Sequence, residues 1–300
     1  MILLTGATGT VGAALLPLLL EAGHEVRALV REPRRLGRHR VEVRIAIGDL
    51  AEMRDPHLQR QALRGVDAVI HLAAAIRDQP QASVEELNGL DSAHLLRAAE
   101  AARVERFIFF SAIGATGFQR TRFFRAKALA ERAVATSPLE TTVLAPSIVY
   151  DVDDPWVTLM RRLALLPAIP ISGSGRAAYQ PIWAADVARC TMAALAGRPT
   201  AEPAEDRPRF ELAGPETLTY DQIARTIAGA AGRERPLVHV PLGAVHAGLA
   251  GLRRVVGEVA FATWEEAELM EVPMVSARGT ADAVALGVEP RRLADVLAGA

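Results

Sequence analysis

Three hundred residues and 32.1 kDa suffice for one large domain or two modest ones, and an apolar half with 23% charged residues describes an ordinary globular chain with an ample core. The net charge of −1 excludes the bulk electrostatics of a nucleic-acid or polyanion binder. The single cysteine, Cys190, excludes an internal disulfide framework and a paired-cysteine metal site, which points to a reducing, cytoplasmic compartment and to no metal. One count is unusual: of 34 basic residues, only Lys127 is lysine, and all the others are arginine.

Met1 to Leu20 carries no charge, yet Gly6, Gly9, Gly12 and Pro17 suit neither a signal sequence nor a membrane span. The stretch reads as a buried strand, Ile2 to Leu4, then a glycine turn, then a helix over Val11 to Ala22 that Pro17 should bend. Strand patterns follow at Val26 to Val30 and Val41 to Ile47, then a helix at Leu58 to Leu63 and a strand at Ala68 to Leu72. Leu87 to Ala102 has one long helical periodicity; Arg106 to Phe110 is a strand, Arg122 to Thr136 a helix and Thr141 to Leu144 a strand. This alternation predicts a Rossmann-like α/β fold, a doubly wound parallel sheet covered by helices on both faces. After Pro146 proline and glycine thicken and the elements shorten. A helix is expected over Trp183 to Leu195, an exposed loop over Arg198 to Pro208 and a late strand over Phe210 to Leu212. Thr219 and Gln222 form a capping-box pattern opening a helix to about Ala231. Residues 1–149 are therefore expected to form a dinucleotide-binding domain. Residues 150–300 form a smaller substrate-side region, from which 209–213 return to the sheet.

Gly6, Gly9 and Gly12 recur every third residue between the first strand and the first helix. Glycines there let the backbone approach a pyrophosphate, while the helix N-terminus offers free N–H groups and a positive dipole end. The choice of dinucleotide is read at the end of the second strand, where an acidic residue would bind a ribose 2′-hydroxyl. Arg31 stands there, with Arg34 and Arg35 just beyond, and guanidinium groups suit a 2′-phosphate. NADP(H) is therefore favoured over NAD(H), with Glu32 as the dissenting neighbour.

Thr5-Gly6-Ala7-Thr8-Gly9-Thr10-Val11-Gly12, Gly48-Asp49-Leu50 and His71-Leu72-Ala73-Ala74 resemble the extended and atypical short-chain dehydrogenase/reductases. Later blocks, Gln180-Pro181-Ile182-Trp183-Ala184-Ala185-Asp186-Val187-Ala188 and Leu212-Ala213-Gly214-Pro215 with Thr219-Tyr220, look like the NmrA-like branch. That branch includes bacterial relatives of the nucleotide-binding accessory subunit of respiratory complex I. The resemblance implies that Gly6, Thr8, Gly9, Thr10, Val11 and Gly12 cradle the cofactor and that Asp49 and Leu50 lie near the adenine. It also implies that Ala73 and Ala74 line the nicotinamide side, which Pro146, Ser147 and Ile148 border.

Active members of that superfamily use a serine, a tyrosine and a lysine, the last two one helical turn apart on one face. The lysine lowers the phenol's pKa and holds the ribose, and the phenol exchanges the substrate proton. Ser111 and Lys127 match the serine and lysine, but Phe123 stands four residues before Lys127, where the tyrosine belongs. Lys127 keeps a role in cofactor binding, which needs only its charge and donors. Tyr150 and Tyr179 are the substitutes to consider, and both read as packing residues; His71, inside an apolar strand, reads as buried and hydrogen-bonded. Glu265, Glu266, Glu268 and Glu271 around Trp264 and Met270 read as a solvated acidic helix face. The apolar stretch 242–262 reads first as an internal packing helix, with a protein partner or a membrane surface as alternatives. The chain is therefore expected to be a dinucleotide-binding redox sensor or an accessory or assembly factor. The alternative is an atypical oxidoreductase acting on a quinone, enone or carbonyl compound. An S-adenosylmethionine methyltransferase ranks below both, because it calls for an acid where Arg31 stands.

Overall fold

Short runs of residues apolar on both faces build the centre of the molecule, because a parallel strand covered on each side by helices has no face left for water. The computed structural model describes residues 1–197, 209–241 and 268–299. The central strands are β1 (Ile2–Thr5), β2 (Val26–Val30), β3 (Arg44–Ile47), β4 (Ala68–His71), β5 (Arg106–Phe110) and β6 (Glu140–Pro146). Four short strands follow: β7 (Val149–Tyr150), β8 (Ile169–Ser172), β9 (Ala178–Tyr179) and β10 (Ile182–Trp183). Then come β11 (Arg209–Leu212), β12 (Leu218–Thr219) and β13 (Leu237–Val240). Seven of them form one parallel sheet in the order β11-β6-β5-β4-β1-β2-β3, so the chain reverses direction of travel at β1 and β4. A binding crevice is expected outside the carboxyl ends of such strands, where the order reverses.

The helices divide between the two faces. Helices α1 (Thr10–Glu21) and α6 (Ala184–Leu195) cover one face, with Leu15, Leu16, Leu19, Val187 and Cys190 against Ile2, Leu4, Ala28, Ile70 and Ile108. Helices α2 (Pro56–Leu63), α3 (Ser92–Ala101) and α4 (Arg122–Thr136) cover the other, with Leu58, Leu95, Leu96 and Val134 against Leu3, Leu29, Val69, Phe107 and Phe109. Consecutive residues of β1 thus enter opposite cores, the period-two alternation of a strand. A third cluster joins Tyr150, Tyr179 and Tyr220 to α5 (Pro155–Leu163), α7 (Tyr220–Ala230) and the short terminal helix Leu293–Ala298. The Thr219 capping box is complete: Thr219 Oγ1 accepts from Gln222 N, and Gln222 Oε1 accepts from Thr219 N.

Two element boundaries depart from the sequence expectation. The strand expected over Val41 to Ile47 begins only at Arg44, because Pro33–Val41 forms 3-10 turns kinked at Gly37 and leaves Val41 85% exposed. The helix expected to run from Leu87 to Ala102 is two pieces, a π-helical turn over Glu86–Asp91 and then α3. Within that turn Asn88 is buried and turned onto the backbone of Ala75 and Val84. Helix α1 continues through Pro17. Residues 198–208, the apolar stretch 242–262 and Trp264, Glu265 and Glu266 lie outside the described residues. Among the described residues no helix is long and apolar enough to cross a membrane.

Candidate functional site

The site is built on the turn between β1 and α1. Gly6 holds φ at +73°, and a Cβ on it would lie 2.7 Å from Ala73 N; one on Gly12 would lie 2.2 Å from Gly6 O. Only a chain without side chains at both positions packs turn, helix and the β4 exit this closely. Gly9 caps α1 without a side-chain hydrogen bond, and the first turn holds no acidic residue, so the helix end presents its N–H groups uncompensated.

A cleft of about 440 Å³ opens against this turn. Gly6, Thr8 and Gly9 form its floor, Arg31 and Arg35 one rim, Gly48 to Leu50 a wall, and Ala73 to Arg77 with Gln79 the opposite flap. Of the anticipated cofactor residues, Gly6, Thr8, Gly9, Arg31, Asp49, Leu50, Ala73 and Ala74 line this cleft together. Thr10, Val11 and Gly12 belong to the first turns of α1 behind it, and Arg35 rather than Arg34 lines the rim. Among the lining side chains Asp49 supplies the carboxylate, 3.4 Å from Arg31 Nη1.

Beneath the flap runs a buried polar chain. Ser92 Oγ donates to Leu87 O and so accepts from His71 Nε2 at 2.9 Å; His71 Nδ1 then accepts from Thr5 Oγ1 at 2.7 Å, which itself accepts from Ala73 N at 3.2 Å. Burial, seconded by the Lys127 charge, pushes the His71 imidazole down to about 3, so it is neutral and serves to hold the flap. Asn88 fixes the next residues, accepting from Ala75 N and donating to Ala75 O and Val84 O. Further out, Asp78 receives two bonds from Arg122 Nη2 at 2.9 Å. Asn88 and Ser92 escaped the sequence reading, though a polar side chain inside an apolar helical period is the signal that marks them.

Ser111, Phe123, Lys127, Pro146 and Ile148 do not line the cleft: Ser111, Pro146 and Ile148 lie at the ends of β5 and β6, and Phe123 and Lys127 on α4. Ser111 Oγ is buried and makes no hydrogen bond. Lys127 is 2% exposed; its Nζ donates to Phe110 O at 2.7 Å and sits 5.0 Å from the Phe109 ring and 5.9 Å from the Phe123 ring. Burial lowers this ammonium to about 7, opposed by Glu131 one turn along. Pro146 O accepts from Ile113 N, and Ile148 O from Ile182 N. Ser147 Oγ donates to Met274 O at 2.7 Å and accepts from Gln180 N.

No described tyrosine hydroxyl is hydrogen-bonded to Lys127 or Ser111 in place of the missing phenol. Tyr179 donates its hydroxyl to Met270 O at 2.7 Å. Tyr150 is fully buried, and burial with the Asp186 charge pushes its phenol up. Phe123 meets Phe124 edge-on at 5.3 Å and packs against the cluster of Ala112, Phe124, Leu269 and Val272, on which Met270 and Met274 also pack. Leu269 to Met274 form a strap that Glu271 ties down: its carboxylate accepts from Ser174 N and Ser174 Oγ. Glu271 is therefore a structural tie and not part of a solvated acidic face.

The glycine floor without Cβ atoms, the uncompensated helix end and the paired arginines fit the phosphates and riboses of a dinucleotide. Comparisons with known proteins agree. Residues 6–197, well over half the chain, match a family model described as NAD(P)H-binding. The chain is 28% identical over 228 residues to the Arabidopsis thaliana mitochondrial NADH dehydrogenase [ubiquinone] 1 alpha subcomplex subunit 9. That match takes in 73% of this chain and 55% of the relative, so the chain spans about half of that protein's length. It is 28% identical over 246 residues to a Xenophilus azovorans NAD(P)H azoreductase, taking in 81% of this chain and 78% of the relative. Among solved structures, the Thermus thermophilus UDP-glucose 4-epimerase in complex with NAD shares the fold, with a TM-score of 0.72 at 18% identity over 99% of this chain and 96% of the other.

Proposed function

The chain belongs to the NAD(P)H-binding family of atypical short-chain dehydrogenase/reductases, and from that premise we propose that it works as a dinucleotide-responsive sensor or as an accessory or assembly factor. The observation that carries this reading is Phe123, one turn before Lys127 and packed under the Leu269–Met274 strap where the proton relay needs a phenol. NADP(H) is the proposed ligand, on the strength of Arg31 and Arg35 on the cleft rim. A bound nicotinamide would supply a hydride. The chain's own residues would bind the phosphates at Gly6 to Gly12 and hold the flap through Asn88, Thr5 and His71, and Lys127 and Ser111 are the residues proposed for the nicotinamide end. The complex I subunit relative supports a role beside a protein partner. The sole cysteine, buried and free, supports a cytoplasmic setting.

A second reading, an NAD(P)H-dependent reductase of quinones, enones, carbonyl or azo compounds, is favoured by the azoreductase relative. Quinones and enones accept the hydride without that phenol, since the proton can come from water or Ser111. NADPH oxidation against a panel of these acceptors, with wild type and Lys127→Ala beside calorimetric NADPH binding, separates the two. Tight binding with no acceptor-dependent oxidation is expected. Turnover that Lys127→Ala abolishes would replace the first reading with the second.

A further inference from the structure

We propose that Asp49 sets the choice between phosphorylated and unphosphorylated dinucleotide by competing with the ribose 2′-phosphate for Arg31; the inference rests on the proposed reading of Arg31 as the 2′-phosphate contact. Strands β2 and β3 pair through Val30 and Ile47, and Gly48 N donates to Val30 O. Arg31 and Asp49 therefore leave adjacent strand ends side by side on the cleft rim. Asp49 cannot turn away. It is the N-cap of the 3-10 turn Leu50–Glu52, its Oδ1 accepts from Ala51 N at 3.2 Å, and its own N–H donates to Glu52 Oε2 at 2.9 Å. Its side chain is 17% exposed, against 54% for Arg31.

The pair is one contact of 3.4 Å between Arg31 Nη1 and Asp49 Oδ2, without the parallel second bond of a fork. So loose a pair on a half-exposed arginine is easily exchanged. A phosphate placed on Arg31 takes the guanidinium from Asp49 and then faces that fixed carboxylate across the same side chain. A ribose without the 2′-phosphate meets no such repulsion, and its 2′-hydroxyl can donate to Asp49 while Arg31 stays paired. The wild-type rim therefore narrows the preference for NADP(H) that Arg31 and Arg35 would otherwise impose, and Asp49 is the residue that narrows it.

Asp49→Asn tests this cleanly, because asparagine keeps the N-cap acceptor and removes only the charge. The measurement is calorimetric affinity for adenosine 2′,5′-bisphosphate and for AMP, for wild type, Asp49→Asn, Arg31→Ala and the double variant. The ratio of the two affinities is expected to rise about fivefold in Asp49→Asn at low salt, to gain less at high salt, and to show no such gain when Arg31 is absent. A ratio that Arg31→Ala lowers and Asp49→Asn leaves unchanged overturns the inference while the reading of Arg31 stands. A ratio indifferent to Arg31→Ala removes that reading, and the inference with it. Asp49→Ala, which also loses the cap, serves as the stability control.

Discussion

Burial brings the Lys127 ammonium down to about 7, from an ordinary value near 10.5, while the unfolded chain restores the ordinary value. Between those two values the unfolded state holds a proton that the folded state has released. Stability from this group therefore increases as pH rises through the window, and is lowest at and below neutrality, where the folded state must keep a buried charge. Urea midpoints should climb between pH 7 and pH 9 for the wild type, and Lys127→Met should flatten that climb. An equal slope in both proteins would mean that the ammonium is solvated in the native state. Phe110 O and the Phe109 and Phe123 rings stabilise the charged form against that burial.

At the scale of the element, the flap from Ala73 to Glu85 depends on side chains supplied by elements around it. Asn88 is the main one, exchanging two bonds with the Ala75 backbone, which lies outside any helix or strand, and donating a third to Val84 O. Asn88→Ala should leave the Ala75 groups unsatisfied, cost about 2–3 kcal/mol, speed amide exchange over residues 73–79 and weaken NADPH binding roughly tenfold. Exchange rates at 73–79 unchanged from wild type would show that the flap is held by Thr5 and Arg122 alone. The sequence makes the strands and the glycine turn legible, because burial on both faces and an unavoidable lack of Cβ atoms leave direct marks on residue choice. It hides the π-helical turn at Glu86–Asp91, since one extra residue in a turn barely disturbs a short apolar period. The alternation in Val41 to Val43 misleads because Val41 is apolar yet exposed on a 3-10 turn. Arg35 in place of Arg34 on the rim follows from the geometry of that same turn. Ser111 and Lys127 come from different elements, so their approach to one another is legible only through the family resemblance, not from spacing.

For the whole molecule, the two halves of the chain share one sheet, because β11 pairs with β6 from Arg209↔Val143 to Leu212↔Pro146. Two buried carboxylates fasten the C-terminal stretch to that sheet: Asp282 accepts from Glu211 N, and Asp186, fully buried at the start of α6, accepts from Arg291 N at 2.8 Å and pairs with Arg189. Asp186→Ala should cost about 3 kcal/mol and should do so in a single cooperative urea transition, since β11 and these carboxylates tie both halves to one sheet. Two separated transitions would show that the halves fold independently. The lone lysine has a further consequence on this scale, for the chain's behaviour as a colloid. Every other cation is a guanidinium, which keeps its charge at any pH the fold survives. The remaining side chains that usually release protons in base are buried as well: Cys190 is pushed up to about 12, and burial raises all three tyrosines, Tyr150, Tyr179 and Tyr220. Once Lys127 has titrated, little is left to ionise between about pH 8 and pH 12, and the formal side-chain charge of −1 at neutrality falls by only one, that of the single lysine. Raising the pH therefore adds almost no repulsion between copies, and solubility that most proteins gain in alkali must here come from salt, ligand or partner.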